Sequence, residues 1–566
     1  MYAELKRVWE EMTSPGQMFS VHRQEVFGNS ILCYENAPAS LRDLWMLSAG
    51  HGDSDYLVYQ DERLTYAQSH KQTAALASEV AAMGVGPGDR VAIAMRNYPE
   101  WMLAYWATVS MGAVVVGMNA WWVPGEMEYA LEDSSPKVLI ADRERLERFR
   151  EIEEKFDALT VIAVRCDEQQ RGDAADWASL VAGDGAMPDA AIDTDDDACI
   201  FYTSGTTGRP KGAQLTHRGG VSNVRNVAFI NAAQASALAQ AAGGEAPEPG
   251  SEAPVRALIA TPLFHVTANN CVAQVATLVG GRLVLMYKWD AGEARKLIEQ
   301  ERVSAFSAVP MMTREVLTHP NFSSHDTSSL KTMGGGGAAM QPDLVGKVPE
   351  QLPNTRPNTG YGMTETCGII AALALEFYLD RPTSVGPVMP TLEARCVSES
   401  GEVLGSNEIG ELTVKGAPVI RGYLNRPEAT AETIKDGWLH TGDVGYIDED
   451  GFVYLVDRAK DMVLRGGENV YCAEVENAVF EHDAVAECAA FSVPDERLGE
   501  EVGIAVFLKS GNTLTADDLR THCKSLLAPY KVPRYVWFVA EPLPRNANGK
   551  FVKRQLQDDL ATEDAA

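Results

Sequence analysis

The sequence predicts an α/β protein whose large N-terminal part contains doubly wound, mostly parallel sheets. Three observations support this prediction. Helix-period segments alternate with short apolar runs through the first two thirds of the chain, as in βαβ units. Past about Ser384 the pattern changes to short alternating segments separated by glycine turns. From Asp457 a mixed unit closes the chain. A chain of 566 residues is too long for a single hydrophobic core, so at least two domains are expected.

The N-terminal elements follow one another as helix and strand. A helical segment, "AQSHKQTAALASEVAAMGV", leads into the apolar run "RVAIAM", and a second helical pattern starts near Tyr98. Further strand candidates are "GAVVVGMN", "KVLIAD", "LTVIAV", "ALIATPLF", "GRLVLMY", "AFSAVP" and "LKTMGGGG". This alternation predicts parallel sheets covered by helices.

The stretch from Trp101 to Gly125 carries no charge, so a membrane span has to be considered. Polar residues and glycines such as Thr108, Gly112 and Asn119 interrupt it. A buried helix followed by a buried strand explains the stretch better. No integral membrane span is therefore expected, while a peripheral membrane contact and a homodimer both stay open.

Two boundaries divide the rest of the chain. Residues 1–456 are predicted to form the N-terminal domain, with a small β-barrel-like subdomain near 384–456 that contains "ARCVSESGEVL", "GELTVKG" and "GFVYLVD". The segment "DRAKD", 457–461, is predicted to be a hinge centred on Lys460. Residues 462–566 are predicted to form a small mobile α+β domain, with helices at "AEVENAVFEH" and "TADDLRTHCKSLL" and strands at "AECAAFSV" and "VGIAVFLK".

Composition narrows the class of partner. The net charge of −30 disfavours sequence-independent nucleic-acid binding, because phosphate backbones would be repelled. Nine cysteines without a C-x-x-C pair, and an N-terminus without a signal pattern, indicate reduced thiols in a cytoplasmic protein. The segment 231–253 is interpreted as an alanine-rich helix end followed by a surface loop, with a lid or partner contact as the alternative.

The segment "DDACIFYTSGTTGRPKGA" predicts a phosphate site. It places an apolar strand before a loop of glycines and hydroxyls, so that backbone N–H groups can approach phosphate oxygens. Lys211 adds a positive charge. The segment is not a Walker A loop, because Pro210 and Gly212 stand where that motif needs glycine and serine or threonine.

Several motifs in the expected order resemble the adenylate-forming superfamily, in its acyl-CoA synthetase and fatty-acid–CoA ligase branch. The resemblance extends from about Leu41 to Lys553. Besides the loop, it rests on "TPLFHV", "GGGGAAM", "GYGMTE", "GWLHTGD", "DRAKDMVLRGGENVY" and "LPRNANGK".

The resemblance implies a role for each matched residue. Lys550, Glu365 and Lys211 would be catalytic, with Glu365 also the Mg²⁺ ligand. His265 and Gly360 would line the acyl pocket, with His265 as a gate, and Lys460 would be the hinge. The residues implied in binding the nucleotide and CoA are Thr203, Ser204, Gly205, Thr206, Thr207, Gly208, Gly337, Ala338, Ala339, Tyr361, Gly362, Thr364, Asp443, Arg458, Gly466 and Gly467.

Three residues depart from the usual pattern of the superfamily. Gly335 stands where many relatives carry serine, and Ala339 where they often carry proline, which predicts a slightly looser loop with its backbone donors intact. Ala268 replaces a frequent glycine, so the floor of the acyl pocket is expected to differ.

The implied reaction is ATP-dependent and AMP-forming. A carboxylic acid would attack the α-phosphate of ATP to give an acyl-adenylate, and CoA would then take the acyl group. A medium- or long-chain fatty acid is the first expectation for the substrate, and an alicyclic, steroid side-chain or aryl acid is the alternative. A stand-alone enzyme that loads a carrier protein and a catalytically inactive nucleotide-binding protein are the other hypotheses. ATP, Mg²⁺ and CoA are the expected cofactors.

Overall fold

The computed structural model of the protein describes residues 1–203, 209–247, 253–320, 325–337, 340, 342–458, 461–466, 468–546, 550–560 and 565. Over these residues the α-helices, α1 to α19 in chain order, are Tyr2–Thr13, Leu41–Ser48, Tyr66–Ala82, Pro99–Ser110, Pro124–Ser134, Arg143–Arg150, Glu168–Arg171, Trp177–Val181, His217–Ala241, Val266–Ala268, Gln274–Leu278, Ala291–Gln300, Pro310–Thr318, Pro342–Gln351, Leu375–Asp380, Pro427–Thr433, Cys472–Phe480, Ala516–Leu526 and Lys553–Asp559.

The strands of the same residues, β1 to β28 in chain order, are Val21–Val26, Asn29–Tyr34, Asp55–Tyr59, Glu62–Thr65, Arg90–Ala94, Val114–Gly117, Val138–Asp142, Thr160–Val164, Ala175–Asp176, Asp197–Thr203, Lys211–Thr216, Arg256–Ile259, Arg282–Leu285, Ala305–Ser307, Thr332–Gly336, Arg356–Met363, Gly368–Ala374, Gly386–Pro387, Leu392–Val397, Gly410–Gly416, Ile434–Lys435, Trp438–Ile447, Phe452–Arg458, Val463–Arg465, Glu468–Val470, Val485–Asp495, Gly499–Leu508 and Tyr535–Val539.

Two large sheets form the N-terminal part, as the sequence predicts. One has the order β11-β10-β6-β5-β7-β8-β9 and is parallel except for β11. The other has the order β17-β16-β15-β14-β12-β13-β3-β4 and is parallel except for its two outer strands. Parallel pairing predominates in both sheets because most of these strands are joined to the next through a helical crossover.

The uncharged stretch is a buried helix and a buried strand, as predicted. All twelve residues of α4 are buried, including Trp101 and Trp106, and all four residues of β6 are buried. Within the described part of the chain, no helix combines the length and apolarity required to cross a bilayer. The absence of charge therefore reflects burial of α4 on every side.

Local signals account for several element ends. Thr65 accepts a hydrogen bond from the backbone of Gln68, whose side chain bonds back to Thr65, and this capping box begins α3. The predicted strand "ALIATPLF" ends early, at Ile259, just before Pro262, which has no backbone donor. The alanine-rich segment continues α9 to Ala241, and residues 248–252 of the insertion lie outside the described residues.

The strands after Ser384 form an antiparallel sheet, β18-β23-β22-β20-β19, with β21 paired to β22. The C-terminal residues form a separate sheet, β25-β24-β27-β26 with β28 beside β27, and it has its own buried clusters. The chain therefore has a large N-terminal α/β part with a β-rich unit, followed by a small α+β part. The hinge at 457–461 stays a prediction, and Lys460 lies outside the described residues.

Candidate active site

The predicted phosphate loop lies between two paired strands. Strand β10 ends at Thr203 and β11 begins at Lys211, and these two residues stand opposite each other in the antiparallel register. The Thr203 hydroxyl donates to the Lys211 carbonyl oxygen at 3.4 Å. The pairing places Thr203 and Lys211, the two ends of the predicted loop, side by side. The remaining predicted loop residues, Ser204, Gly205, Thr206, Thr207 and Gly208, lie outside the described residues.

A tyrosine that the sequence analysis did not single out connects Lys211 with Glu365. The Nζ atom of Lys211 lies 4.4 Å from the centre of the Tyr423 ring. The Tyr423 hydroxyl donates to Glu365 Oε1 at 2.7 Å, inside a buried environment. Burial and the charge of Glu365 raise the pKa of Tyr423, so this tyrosine stays protonated and keeps donating. The structure thus brings the two predicted charges to one place.

Backbone pairing explains why Tyr423 lies there. Ala213 forms a bridge with Tyr423, and the Leu424 amide donates to the Gly212 carbonyl at 2.8 Å. The Ile420 amide donates to the Glu365 carbonyl at 3.0 Å. Residues 420–424 therefore run beside β11 and the turn that carries Glu365. No local sequence motif marks these contacts, because Tyr423 is 58 residues from Glu365 along the chain and much farther from β11.

Tyr361, Asp443 and Arg458 form a second cluster. The Tyr361 hydroxyl donates to Asp443 Oδ2 at 2.7 Å, and Arg458 Nε lies 3.0 Å from Asp443 Oδ1. Asp443 and Arg458 are register partners on β22 and β23, whereas Tyr361 comes from β16 of the large sheet. Asp443 is buried and Arg458 is partly exposed, so the cluster holds a carboxylate below a guanidinium that reaches solvent.

The glycine-rich strand β15, which pairs with the strand that carries Tyr361, corrects one expectation. At Gly335 the backbone φ is +146°, and a Cβ atom there would lie 2.0 Å from the Ala308 carbonyl oxygen. The expectation that Gly335 loosens the segment is therefore wrong, because the glycine lets β15 pack tightly against the backbone of Ala308, just after β14. Gly337 also has a positive φ, +84°. Ala338 and Ala339 lie outside the described residues.

The other residues of the "GYGMTE" motif lie on β16 and the turn after it. Gly360 pairs with Gly336 across the parallel strands. Gly362 stands at a register shift opposite β17, where a Cβ atom would lie 1.8 Å from the Gly368 carbonyl oxygen. Thr364 opens a short 3₁₀ turn, Thr364–Thr366, which carries Glu365. The motif therefore places Tyr361 just before the register shift of β16 and Glu365 in the turn that follows this strand.

His265 lies at the entrance of a helical segment. It precedes α10, and its ring lies 4.7 Å from that of Phe264. Phe264 in turn contacts the ring of Trp121 at 5.3 Å, and Arg96 stacks on Trp121 at 4.3 Å. Ala268 is buried at the end of α10 and is followed by a π-helical turn, Asn269–Ala273. The predicted gate is thus part of an aromatic cluster.

Two predicted residues of the C-terminal part, the CoA-facing Gly466 and the catalytic Lys550, have backbone hydrogen bonds that fix their position. Gly466 has φ +61°, and its amide donates to the Leu498 carbonyl at 2.8 Å. The Lys550 amide donates to Asn546 Oδ1 at 3.1 Å, and the Asn546 amide donates to the Lys550 carbonyl at 2.9 Å. Gly467 lies outside the described residues. Gly466 is thus held against the segment that leads into β27, whereas Lys550 is bonded to Asn546, four residues before it.

A charged cluster occupies the junction at the predicted hinge. Asp457, at the end of β23, accepts a hydrogen bond from the Ala473 amide at 3.4 Å. Lys553 Nζ lies 2.8 Å from Glu476 Oε1. Burial alone would lower the pKa of Lys553, but the neighbouring Glu476 and Asp457 raise it. Burial raises the pKa of Asp457 to about 6 even though Lys553 opposes the shift.

This raised pKa predicts a pH-dependent stability. In the unfolded chain Asp457 would ionise near pH 4, so the buried carboxyl is held without penalty below that pH. As the pH rises to about 6, the folded state retains a proton that the unfolded state has lost, and stability falls. We expect Asp457→Asn to gain up to about 3 kcal/mol relative to wild type between pH 4 and pH 7.

Guanidinium unfolding at each pH would measure this gain, and the exposed Asp517→Asn provides the control. A wild-type minus Asp457→Asn difference that stays constant from pH 4 to pH 7 would contradict the assignment.

The chain matches two family models. The model for the AMP-binding enzyme matches residues 45–424, which is more than half of the chain. The model for the AMP-binding enzyme C-terminal domain matches residues 474–550. The chain belongs to the AMP-binding enzyme family. The two matches fall on the large and small parts of the fold, respectively.

Relatives within the AMP-binding enzyme family are CoA ligases. The chain is 37% identical to a feruloyl-CoA synthase from an Amycolatopsis species, over 87% of this chain and 93% of the relative. It is 31% identical to a long-chain-fatty-acid–CoA ligase of Bacillus subtilis, over 90% and 92%. The solved structure of o-succinylbenzoate CoA synthetase from Bacillus subtilis, in complex with an acyl-adenylate, matches with a TM-score of 0.75 and 28% identity, over 91% and 98%.

These matches establish the enzyme class. The protein is an AMP-forming acid–CoA ligase that uses ATP, an acid and CoA. The fold also agrees with the solved structure, since both have a large N-terminal and a small C-terminal domain.

Proposed function

We propose that the Lys211–Tyr423–Glu365 cluster binds the phosphates of ATP and that the Tyr361–Asp443–Arg458 cluster binds its nucleoside. The observation that carries the proposal is the contact of Tyr423 with both Lys211 and Glu365 at the base of the glycine- and hydroxyl-rich loop. A cation and a carboxylate held together at such a loop suit a metal–polyphosphate ligand. Asp443, which is 6% exposed, can accept two ribose hydroxyls because each carboxylate oxygen has a further lone pair.

The residues at Glu365 fit a magnesium ion. Glu365 is 8% exposed, and Tyr423 bonds to its Oε1 atom, so the carboxylate is oriented by a neutral donor. Mg²⁺ prefers oxygen ligands and commonly uses one or two carboxylates together with substrate phosphates. When bound, the ion would offset negative charge that develops on the phosphates. The described residues contain no cluster of three or more metal-ligating side chains, which agrees with a site completed by ATP.

The protein groups would act chiefly through position and charge. Lys211 would hold the terminal phosphates, while Lys550 would approach the acid carboxylate and the α-phosphate during adenylate formation. Fixed positive charge lowers the repulsion between two anions that must react. CoA would then reach the adenylate past the glycine turn at Gly466, and Gly467 is proposed to share this role.

We propose an aryl monocarboxylate as the acid, in place of the fatty acid expected first. The support is the higher identity to the feruloyl-CoA synthase, 37%, than to the fatty-acid ligase, 31%, and the aryl acid named in the solved structure. The aromatic cluster of Phe264, His265 and Trp121 at the proposed gate offers rings on which an aryl group can pack. A fatty acid remains the second candidate.

A matched acid panel tests the substrate proposal. Cinnamate, ferulate, benzoate, octanoate and palmitate would be compared for acid-dependent pyrophosphate release and for acyl-CoA formation. We expect the highest kcat/KM with an aryl acid. Highest kcat/KM with octanoate or palmitate would favour the fatty-acid alternative. Pyrophosphate release followed by acyl transfer to a phosphopantetheinyl carrier protein, but not to CoA, would favour carrier loading.

Lys211→Ala should weaken the use of ATP and leave the acid preference unchanged. Removal of one positive charge beside the phosphates is expected to cost about 10²–10³ in kcat/KM for ATP. Arg209→Ala is the control, because Arg209 belongs to the same loop but stacks on Tyr129 at 5.0 Å. Steady-state kinetics with two acids would measure both effects. Normal ATP kinetics with an altered acid preference would contradict the assignment of Lys211.

The cytoplasmic location, a peripheral membrane contact and a homodimer stay proposals. The proposed cytoplasmic location rests on the nine cysteines, which include no C-x-x-C pair.

A further inference from the structure

The turn that follows Glu365 has an unfavourable backbone conformation. Cys367, directly after the 3₁₀ turn Thr364–Thr366, has φ +53°, a left-handed value that is costly for a residue with a side chain. Its neighbour Gly368 has φ +138°, and a Cβ atom there would lie 2.4 Å from Asn223 Oδ1. Such a conformation persists when surrounding contacts fix it, so the contacts of residues 367–369 identify what holds the turn.

Two buried asparagines supply these contacts. The Asn270 side chain donates through Nδ2 to the Cys367 carbonyl at 2.9 Å. The Ile369 amide donates to Asn223 Oδ1 at 2.9 Å. Asn223 Nδ2 donates in turn to the Asn270 carbonyl at 2.9 Å, so the two asparagines are linked to each other. Asn223 is 0% exposed and Asn270 is 2% exposed. We call Asn223 and Asn270 the asparagine clamp.

The clamp is itself held in one orientation. Asn270 belongs to the π-helical turn Asn269–Ala273, an irregularity that is frequent at functional sites. Its Oδ1 atom accepts from Asn269 Nδ2 at 3.0 Å and from Gln274 Nε2 at 3.3 Å. Gln274 Nε2 also donates to the Tyr105 hydroxyl at 2.8 Å. These bonds restrict the orientation of the Asn270 side chain, because its Oδ1 atom accepts from two donors while its Nδ2 atom donates to Cys367.

Glu365 is therefore held from two sides. Tyr423 orients its carboxylate, and the Ile420 amide bonds to its carbonyl, on the side of the phosphate loop. The asparagine clamp holds the residues immediately after it, on the side of α9 and the π-helical turn. Loss of the clamp would let the strained turn relax and thereby move the Glu365 carboxylate. The two asparagines would act through the backbone of Cys367 and Ile369, since none of the described hydrogen bonds joins them to the carboxylate itself.

We infer that Asn223 and Asn270 are positioning residues that set the Glu365 carboxylate for a divalent cation. This inference rests on the role proposed for Glu365. Residues that orient a metal ligand commonly affect metal affinity by about 10–100-fold when they are replaced. Replacement of either asparagine should therefore weaken binding of the metal–ATP pair beyond any effect on the general stability of the fold.

The test measures metal binding without turnover. For each variant, the rise in Tm on addition of ATP is recorded as Mg²⁺ is titrated from EDTA-treated buffer, with no acid and no CoA present. We expect Asn270→Ala and Asn223→Ala to raise the Mg²⁺ concentration at the midpoint by about 10-fold or more. The rise in Tm with ATP in EDTA should stay at the wild-type value.

Asn226→Ala is the matched control. Asn226 lies on α9, as Asn223 does, and is 0% exposed. Its side chain accepts from the Tyr34 hydroxyl at 2.8 Å and donates to the Thr391 hydroxyl at 2.9 Å. It should lower the Tm of the free protein by a similar amount and leave the Mg²⁺ midpoint unchanged. Should Asn270→Ala not fold, Asn270→Ser makes the same test with a smaller cavity and no buried charge.

Glu365→Gln separates the two levels of the argument. If Glu365→Gln shifts the Mg²⁺ midpoint and the clamp variants do not, the inference is overturned and the proposed role of Glu365 stands. If Glu365→Gln itself leaves the midpoint at the wild-type value, the proposed role of Glu365 fails and the inference fails with it. A shift in Glu365→Gln and in both clamp variants, but not in Asn226→Ala, supports both.

Discussion

Lys550→Ala should slow acid-dependent pyrophosphate release by about 10²–10³ and leave acyl transfer from pre-made acyl-adenylate to CoA near the wild-type rate. The reason is that the acid carboxylate and the α-phosphate repel each other only while the adenylate forms. The Lys550 amide donates to the Asn546 side chain and the Lys550 carbonyl accepts from the Asn546 amide, so the backbone of Lys550 has a defined position. Rapid-quench measurement of each half-reaction with the same acid would give the two rates.

Lys531→Ala is the control for this prediction. Lys531 lies in the same C-terminal part and pairs with Glu474 at 2.6 Å, so its loss should change neither half-reaction appreciably. Equal slowing of both half-reactions in Lys550→Ala would show that the lysine is needed for structure or for CoA as well, and the proposed role would be wrong.

Asp443→Ala should raise the Kd for AMP and the KM for ATP by about 10²–10⁴. Two charge-assisted hydrogen bonds to ribose hydroxyls would be lost, each worth about 1.5–3 kcal/mol. The loss also removes the acceptor of the Tyr361 hydroxyl and leaves Arg458 without its 3.0 Å partner. Calorimetric titration of AMP and steady-state kinetics in ATP would measure the effect.

Tyr361→Phe distinguishes the ribose role of Asp443 from its structural role. This variant removes the bond to Asp443 and keeps the ring, so it should raise the KM for ATP far less than Asp443→Ala does. Wild type should bind a deoxyribose analogue, which lacks the 2′-hydroxyl, less tightly than the ribose nucleotide. Asp443→Ala should bind the two nucleotides with nearly the same affinity. An equal loss from the analogue in both proteins would contradict direct contact between Asp443 and the ribose.

Much of the N-terminal architecture could be predicted from local patterns. The period of α3 and its cap at Thr65 are encoded within a few residues, and the uncharged run of α4 indicates burial because charge cannot be left in a core without a partner. The alternation of such helices with apolar strands limits the fold to parallel sheets. The motifs that place Lys211, Glu365, Asp443 and Lys550 are equally local, which is why the reaction class could be predicted.

The hydrogen-bond partners of those residues could not be predicted in this way. No sequence motif predicts the contacts of Tyr423 and Asn270. Gly335 was expected to loosen its segment, but it allows the segment to pack closely on Ala308. Each contact depends on which strand or helix lies beside which, and such neighbours are far apart in the chain.

The sequence by itself determined the α/β class, the burial of α4 and β6 and the order of the reactive motifs, because periodicity, capping and motif chemistry act over a few residues. Only the tertiary structure decided that Tyr423 joins Lys211 to Glu365, that Tyr361 and Arg458 share Asp443, and that two asparagines hold the turn after Glu365. Those contacts join segments from different sheets and helices, and side-chain geometry across such junctions is set by packing of the whole chain.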